Sequence, residues 1–368
     1  MGPKTVVSTC SDAAGCAREL RDALDGLAPV FLLFFATPRR EPETLGRALA
    51  DAFGTIPSLG CTSAGELANG RAYQDSVVMM AFPAETLAGA RVCAVDGMPN
   101  QGAVDSALSR VSTDQGPVAG LDVQQHVGLV LHDGLARAEE QVMAALCNAT
   151  NVPFVGGSAA DELRFERTTI FENFRPRVGC SVLALLTPRR SYSILKTQSF
   201  SVLEGQIEIT KTANNERVIH SLNGRPAASE YAACLGLPLA GISEHFRAHP
   251  FGVIMDNGEP FVRGLQRAEG EAIHTYCAIR EKTLVSLLAA RDIVEQTRTD
   301  LSSTLSRLGR AECLISFDCV ERMQELRDRG QIDSYASLFE DLPSIGVATY
   351  GESYIGHLNQ TSTLLILG

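Results

Sequence analysis

The feature that most constrains the fold is a short pattern that occurs three times along the chain. In each copy a glycine follows a proline by three residues and a glutamate follows it by nine, at Pro57/Gly60/Glu66, Pro153/Gly156/Glu162 and Pro343/Gly346/Glu352. A weaker fourth copy over residues 250–260 keeps Pro250, Gly258 and Glu259, but its first glycine comes one residue early. A pattern repeated in this way indicates a fold built from repeated structural units.

The segments around each copy repeat as well. An apolar run and then an amphipathic stretch precede each copy, and another apolar run follows it. Short apolar runs bounded by turn residues are typical of buried strands, and apolar residues spaced three and four apart are typical of helices. The unit therefore reads strand, helix, motif, strand. Because the three prolines are 96 and then 190 residues apart, we expect four units of similar size, paired into two domains.

These patterns predict an α/β protein with mixed sheets, in two domains built from duplicated strand–helix–motif–strand units. A length of 368 residues also suggests more than one domain. The polar stretch over residues 208–215 is typical of a connection. We therefore place the domain boundary there, between residues 1–215 and residues 216–368.

Composition disfavours several classes of partner. A net charge of −11 argues against nucleic acid and anionic membranes. No segment approaches the roughly 18 apolar residues of a membrane span, and the N-terminus lacks the pattern of a signal peptide, so we expect a cytoplasmic protein. The ten cysteines include no C-x-x-C pair, which argues against a zinc ribbon or a thioredoxin-like site.

Small and polar residues fill the first two copies of the motif. Glycines allow close backbone approach, and turns at strand ends leave N–H groups that bind carboxylates or phosphates. A simpler interpretation is that each Pro-x-x-Gly only turns the chain into a strand. Hydroxyl and acidic side chains are harder to explain by chain geometry. The ligand-binding candidates are therefore Thr62, Ser63, Glu66, Ser158 and Asp161, with Gly60, Cys61, Gly156 and Gly157 beside them.

Cys61 is the candidate nucleophile within the motif. No histidine lies near it in sequence, and the other two copies carry Gly157 and Val347 at its position. A catalytic cysteine needs a base or a helix N-terminus that lowers its pKa. We therefore expect a protein that is not an enzyme, and we keep an enzyme that uses Cys61 as an alternative.

The three motifs, in this order, resemble those of FIST proteins, named for F-box and intracellular signal transduction. The resemblance covers nearly the whole chain. It implies an N-terminal and a C-terminal FIST module and a sensory protein for a small ligand, with amino acids as proposed ligands. Through the last motif it adds Glu352 and Asn359 to the ligand-binding candidates. The residues that carry it are Gly60–Glu66, Gly156–Asp161, Gly346–Glu352, Asn359–Thr361 and Leu222–Pro226.

One bacterial branch of FIST proteins consists of stand-alone two-module chains that bind haem, sense nitric oxide and act on a histidine kinase. This chain has the same layout. The resemblance therefore favours haem as cofactor and a histidine kinase or another signalling protein as partner. The family has no motif that assigns the iron ligand. The candidates, in order, are His274, which shares one side of its strand with Tyr276, then His132 and His357.

The alternative ligand is a small amino-acid-like metabolite. It would be held by Thr62, Ser63, Ser158 and Asp161, by backbone N–H groups, and by an arginine such as Arg164 that clamps a carboxylate. The sequence assigns no metal ligand.

Overall fold

The computed structural model describes residues 2–97, 99–113 and 116–368. The chain divides into two compact units. The first comprises the chain up to Thr197 together with Arg298–His357 and Ser362–Gly368, and the second comprises Gln198–Thr297 and Leu358–Thr361. In sequence, the second unit therefore interrupts the first. This division by packing is distinct from the division into residues 1–215 and 216–368, which stays a prediction.

The first repeat alternates strands and helices, then forms a hairpin and a return strand. Asp12 caps the first helix, because its carboxylate accepts a hydrogen bond from the Gly15 N–H at 2.7 Å. Glu41 caps the second helix in the same way, from the Thr44 N–H at 2.8 Å. The elements are β1 (Lys4–Ser8), α1 (Ala13–Ala23), β2 (Pro29–Ala36), α2 (Pro42–Phe53), β3 (Ser58–Thr62), β4 (Glu66–Ala68), β5 (Arg71–Tyr73) and β6 (Val77–Pro83).

The second repeat has the same order of elements. Asn100 caps its first helix by accepting a hydrogen bond from the Ala103 N–H at 3.0 Å. The elements are β7 (Leu87–Val95), α3 (Gln101–Arg110), β8 (Val127–His132), α4 (Glu139–Ala149), β9 (Phe154–Ser158), β10 (Ile170–Glu172), β11 (Arg175–Arg177) and β12 (Ser181–Pro188).

The third repeat opens with β13 (Tyr192–Gln198), and the second compact unit follows before the repeat resumes. The elements of the second unit are β14 (Phe200–Val202), β15 (Ile207–Ala213), β16 (Val218–Leu222), β17 (Arg225–Pro226), α5 (Ala227–Leu235), β18 (Phe251–Ile254), β19 (Pro260–Arg263), β20 (Leu265–Glu269), β21 (Ala272–Thr275) and β22 (Leu284–Ala290). They form an antiparallel sheet in the order β19-β18-β22-β15-β16-β21-β20, with β14 paired to β22 and β17 paired to β16.

The third repeat then continues to the end of the sequence. Two helices join its central strands, where the other repeats have a single helix. The elements are α6 (Ile293–Leu308), β23 (Cys313–Cys319), α7 (Val320–Asp328), α8 (Ile332–Ala336), β24 (Ser344–Thr349), β25 (Glu352–Tyr354), β26 (His357–Leu358) and β27 (Thr361–Leu367).

The three repeats build three mixed sheets with one topology. At the centre of each sheet lies a parallel pair, β2–β3, β8–β9 or β23–β24, joined by a helical crossover. The flanking strands pair antiparallel, which confirms the predicted α/β class with mixed sheets. The orders are β1-β6-β2-β3-β10-β11, β7-β12-β8-β9-β25-β26 and β13-β27-β23-β24-β4-β5.

Each repeat contributes its hairpin to the sheet of another repeat. The hairpin β4–β5 of the first repeat pairs with β24 of the third. The hairpin β10–β11 of the second pairs with β3 of the first. The hairpin β25–β26 of the third pairs with β9 of the second. The exchange is therefore a closed cycle in which every motif strand is paired by a hairpin from elsewhere in the chain.

The core of the first unit explains why its strands are apolar on both faces. Alternate side chains of a strand point to opposite sides of its sheet. Phe31, Leu33 and Phe35 enter a core shared by all three sheets, whereas Leu32 and Phe34 pack beneath α1 and α2. The first sheet is thus covered on both faces, as parallel strands usually are.

The expectation of a fourth unit is wrong. The strand that follows Pro250 is β18, and it pairs antiparallel with β19 and β22 rather than parallel with a preceding strand. The long spacing between the second and third copies contains the second compact unit, which is an antiparallel sheet with a different topology.

Candidate ligand site at the ends of the motif strands

The three motif prolines occupy equivalent places, as the repeated pattern predicted. Each precedes a motif strand, and its carbonyl oxygen accepts a hydrogen bond from the neighbouring parallel strand. The Pro-x-x-Gly segment is therefore a strand-entry turn in all three copies. The bonds are Leu32 N to Pro57 O at 3.0 Å, Gly128 N to Pro153 O at 2.8 Å and Leu314 N to Pro343 O at 3.0 Å.

The motif glycines sit where a side chain would collide with the neighbouring strand. A Cβ at Gly60 would lie 2.7 Å from the Phe34 carbonyl oxygen, and one at Gly156 would overlap the Val130 carbonyl. A Cβ at Gly157 would lie 2.8 Å from the Thr349 side chain. Close packing therefore accounts for these glycines without a ligand.

Beyond the strands, the three copies meet in a ring of backbone hydrogen bonds. Each strand end donates to the end of another copy, so the ends of β3, β9 and β24 converge. The structure thereby brings Thr62, Ser63, Ser158 and the flanking glycines together, as a shared site requires. The bonds are Ala64 N to Ala348 O, Ala160 N to Thr62 O and Tyr350 N to Ser158 O, each 3.0 Å.

The hydroxyl candidates at this convergence lie inside the protein. Thr62, Ser63 and Ser158 are 3%, 0% and 1% exposed. The Thr62 hydroxyl accepts a hydrogen bond from the Thr169 N–H at 3.1 Å, and the Ser63 hydroxyl donates to the Glu66 carboxylate. Among the described residues, the Ser158 hydroxyl has no hydrogen-bond partner. These side chains contact the interior rather than a surface to which a ligand has direct access.

Glu66 and Glu352 are structural counterparts at the start of two exchanged hairpins. Glu66 lies opposite Val347, and Glu352 lies opposite Gly157. Each is fully buried and accepts a hydrogen bond from the hydroxyl three residues earlier, on Ser63 or Thr349. Burial raises the pKa of Glu66 to about 7. Hydrogen bonds from serine hydroxyls act to lower this pKa, but burial outweighs them.

Cys61 is buried on β3, opposite Ile170 of the second repeat's hairpin. Burial and the nearby Glu66 carboxylate raise the pKa of this thiol far above its ordinary value. A thiol held in this way is protonated at neutral pH, whereas a nucleophilic cysteine is a thiolate.

The third glutamate of the sequence pattern lies elsewhere. The counterpart of Glu66 in the second repeat is Ile170, since both lie opposite the same position of a motif strand. Glu162 instead belongs to a longer loop over residues 159–169. The backbone of this loop enters the left-handed region at Glu162, Leu163 and Phe165, with φ of 57°, 64° and 54°.

Asp161 holds this loop together. Its carboxylate accepts hydrogen bonds from the N–H groups of Phe165, Glu166 and Arg167 at 3.0, 2.7 and 2.9 Å, and from the Tyr350 hydroxyl. Burial acts to raise the pKa of Asp161, but these hydrogen bonds outweigh it and lower the pKa below its ordinary value. The contacts give Asp161 a structural role, as an anionic centre for the loop.

Charged side chains form the accessible rim above the convergence. Arg39 Nε donates to the Glu162 carboxylate at 3.2 Å, and Arg164 Nη2 lies 3.8 Å from the same group. Arg39 and Arg164 are about half exposed, at 57% and 45%, and Glu162 is 26% exposed. Of the predicted candidates, Arg164 is the one that this rim presents to solvent.

Arg327 is the residue that the sequence patterns missed. It lies near the end of α7, half-buried, and its Nη2 is 3.4 Å from the Ala64 carbonyl oxygen. Gly65, with φ of 136°, passes so close that a Cβ there would lie 2.6 Å from Nη2. Burial lowers the pKa of Arg327, and the carboxylates of Glu66 and Glu162 oppose that change. In the described ranges of the chain, no carboxylate forms an ion pair with it.

A histidine that binds haem iron needs an available ring nitrogen and room for the macrocycle. His132 is 1% exposed, and both ring nitrogens are hydrogen-bonded, to Ser181 Oγ at 2.8 Å and Ser353 Oγ at 3.1 Å. His357 is 4% exposed, with Nε2 3.8 Å from Glu139. As arranged, neither fits a haem ligand.

The remaining two candidates belong to the second compact unit. His274 lies on β21 with its side chain 20% exposed, and its Nε2 is 3.2 Å from Glu269. Asn359 is buried, and its side-chain oxygen accepts a hydrogen bond from the Gly264 N–H at 3.4 Å. Whether either contacts a ligand stays a prediction.

The helices in the described part of the chain include none that is both long and apolar enough to cross a membrane.

Three exchanged repeats that converge beneath a charged rim define an α/β domain with a candidate site at its strand ends. The chain belongs to the FIST family. The FIST N domain matches residues 30–225, and the FIST C domain matches residues 227–354. FIST domains are sensor domains of signal transduction, which confirms the general role implied by the sequence motifs.

The chain is also similar to a protein of Methanocaldococcus jannaschii described as "Uncharacterized protein MJ1623". The two are 23% identical over 305 residues, which cover 76% of this chain. The match covers 57% of the length of that relative.

Proposed function

We propose that this protein is a non-enzymatic sensor that binds a small carboxylate-bearing, amino-acid-like metabolite at Arg327 and signals to a partner protein. The observation that carries the proposal is the half-buried Arg327 guanidinium, which has no ion-pair partner among the described residues. A guanidinium binds a carboxylate through two parallel hydrogen bonds, and partial burial strengthens that interaction.

The rim also carries a group that could bind the ammonium group of an amino acid. Glu162 offers a carboxylate for an ammonium group, and it lies near enough to Arg327 to affect its pKa. Arg39 and Arg164 add positive charge at the entrance, which attracts anions from solution. This site differs from the predicted one, because the ligand contacts the rim rather than the buried hydroxyls of Thr62, Ser63 and Ser158.

The non-enzymatic part of the proposal is supported by the state of Cys61. Its thiol is buried and protonated, and Cys61 lies opposite Ile170 of a neighbouring strand. It therefore lacks the activation that a nucleophilic thiol requires. The free state of all ten cysteines supports a reducing compartment, and we place the protein in the cytoplasm on that ground.

Calorimetric titration with a panel of amino acids and small dicarboxylates tests the proposal. One class of ligand should bind the purified protein, and Arg327→Gln should weaken it by about 10- to 150-fold, since hydrogen bonds to charged groups contribute about 1.5–3 kcal/mol. Arg329→Gln is the matched control, because Arg329 is exposed at the end of the same helix and pairs with Glu325. Equal affinity in the Arg327 and Arg329 variants would contradict the proposal.

A haem-based nitric oxide sensor that acts on a histidine kinase is the second candidate. It rests on the family resemblance and on His274, whose ring is the most exposed of the three predicted ligands. Titration of the protein with haemin tests it. A one-to-one complex with a sharp Soret band, lost in His274→Ala, would support haem. The absence of such a band leaves the metabolite as the sensed ligand.

A further inference from the structure

Two carboxylates and an imidazole meet at the start of α4. Glu139 and Glu140 lie in the first turn of this helix, and His357 lies on β26 at the end of the third repeat's hairpin. The strand exchange explains the meeting, because the hairpin β25–β26 joins the sheet of β9, the strand that follows α4. Residues more than two hundred positions apart thereby share one location.

The donor atoms lie slightly farther apart than ligands around one metal ion. One atom from each of the three side chains lies within 4.8 Å of the others. His357 Nε2 is 3.8 Å from Glu139 Oε1, which is longer than a hydrogen bond. Two ligands that each bind zinc at about 2.0–2.1 Å are roughly 3–4 Å apart. A small adjustment of the side chains would therefore close the set around a cation.

Burial also suits a metal centre. His357 and Glu139 are 4% and 3% exposed, and Glu140 is half-buried. Buried carboxylates are either paired or bound to metals, because an isolated buried charge is costly. An imidazole with two carboxylates is a nitrogen and oxygen donor set of the kind that zinc accepts, and three protein ligands leave a fourth position for water.

His132 lies near this cluster and supports it. His132 lies close enough to His357 and Glu140 for their charges to affect its pKa. Its ring nitrogens are held by Ser181 and by Ser353, which is in β25 of the same hairpin as His357. This arrangement fixes the hairpin relative to β8 and so fixes the position of the His357 imidazole.

We infer that Glu139, Glu140 and His357 form a binding site for a divalent cation of the zinc class. The cation would join α4 of the second repeat to the hairpin donated by the third. The competing explanation is a simple ion pair between a protonated His357 and Glu139, with both glutamates favoured by the helix N-terminus.

Metal titration of the full chain, without a polyhistidine tag and after removal of metal by a chelator, distinguishes the two. Co²⁺ is followed by its visible absorption and Zn²⁺ by calorimetry. One equivalent should bind, and His357→Gln and Glu140→Gln should each weaken binding at least about tenfold, because even the loss of a residue that only supports a metal ligand typically costs about 10- to 100-fold. His220→Gln, which changes an exposed histidine, should bind like the unmodified protein.

Thermal unfolding gives a second measurement. Zn²⁺ should raise the Tm of the unmodified protein but not that of the Glu140 variant, because a ligand that binds only the folded state stabilises it. Glu140 is half-buried, so this variant carries the test if His357→Gln does not fold. No bound metal, or equal affinity in Glu140→Gln, would overturn the site and favour the ion pair.

Discussion

The Ser76 hydroxyl donates a 2.7 Å hydrogen bond to the Glu66 carboxylate, inside the protein and at the point where the first hairpin leaves its own repeat. The Glu66 carboxylate also accepts a hydrogen bond from the Ser63 hydroxyl, so two hydroxyl groups donate to one buried carboxylate. This acid gives the protein a pH dependence that can be measured.

The first prediction concerns Glu66. Its pKa rises from 4.5 to about 7 in the folded protein because of burial. Between those values the folded state holds a proton on Glu66 that the unfolded state has released, so the contribution of Glu66 to stability falls as pH rises through this window. The difference is on the order of 3 kcal/mol, at about 1.4 kcal/mol per pH unit. Glu66→Gln should remove this loss, as measured by Tm from pH 4.5 to 7.5.

The second prediction has the opposite sign. Burial lowers the pKa of His132 to about 3, from 6.5. Below pH 6.5 the unfolded chain therefore takes up a proton on this histidine that the folded protein does not bind, so the contribution of His132 to stability falls as pH decreases from 6.5 toward 3. His132→Gln keeps hydrogen-bonding groups for the two serines but does not titrate. Its stability should therefore lose less on acidification over this range than that of the unmodified protein, and an equal slope in the two proteins would disprove the assignment.

The third prediction ranks the motif glycines. Gly156→Ala should prevent folding, because its Cβ would overlap the backbone of Val130. Gly60→Ala should be strongly destabilising, since the Phe34 carbonyl and ring are both in the way. Gly346→Ala meets mainly the Ser316 side chain and should be milder. Gly89→Ala is the control, with no atom within 4 Å of the added Cβ, and soluble yield with Tm measures the series.

The fourth prediction concerns thiol reactivity. Cys147 and Cys234 are exposed and should react first with an alkylating reagent, whereas Cys61 and Cys313 are fully buried and should react only after unfolding. Mass spectrometry of peptides from a time course identifies the modified residues. Rapid labelling of Cys61 in the folded protein would revive the enzyme alternative.

The fifth prediction concerns the Ser158 hydroxyl, which is buried without a partner among the described residues. A buried hydroxyl without a hydrogen bond costs about 1–3 kcal/mol. Ser158→Ala should therefore leave the free energy of unfolding unchanged or raise it. Ser63→Ala, which removes a bonded hydroxyl, should lower it. Loss of metabolite binding in Ser158→Ala would show that the ligand reaches the interior, contrary to the rim site proposed above.

The parts of the fold that depend on local backbone geometry could be predicted from the sequence. Pro57, Pro153 and Pro343 mark the same turn because each proline carbonyl accepts the same inter-strand hydrogen bond. Gly60 and Gly156 recur because the adjacent strand leaves no space for a side chain. Such requirements act within a few residues and leave a visible pattern.

Features that depend on distant parts of the chain could not be predicted. Both β4 and β24 lie in copies of the motif, but nothing in either copy indicates which other copy it pairs with. Glu162 matched the motif only because an extra loop happens to place a glutamate at the ninth position, whereas packing puts Ile170 there. Arg327 lies on a helix outside every motif copy, so its approach to Ala64 became visible only with the fold.

The cyclic exchange of hairpins has a consequence for how the chain is made. During synthesis from the N-terminus, β3 waits for β10, β9 waits for β25, and the β4–β5 hairpin has no sheet to join until β24 has emerged. No repeat can form all of its strand pairs until another repeat has been synthesised. Until then, each motif strand or hairpin without its partner presents unpaired backbone groups of the kind that promote aggregation. The first sheet is complete once β11 has formed, whereas the second sheet needs β25 and β26 and the third needs β23, β24 and β27, all from the third repeat. Loss of even one hairpin from a shortened chain would therefore damage a repeat other than the one that encodes it.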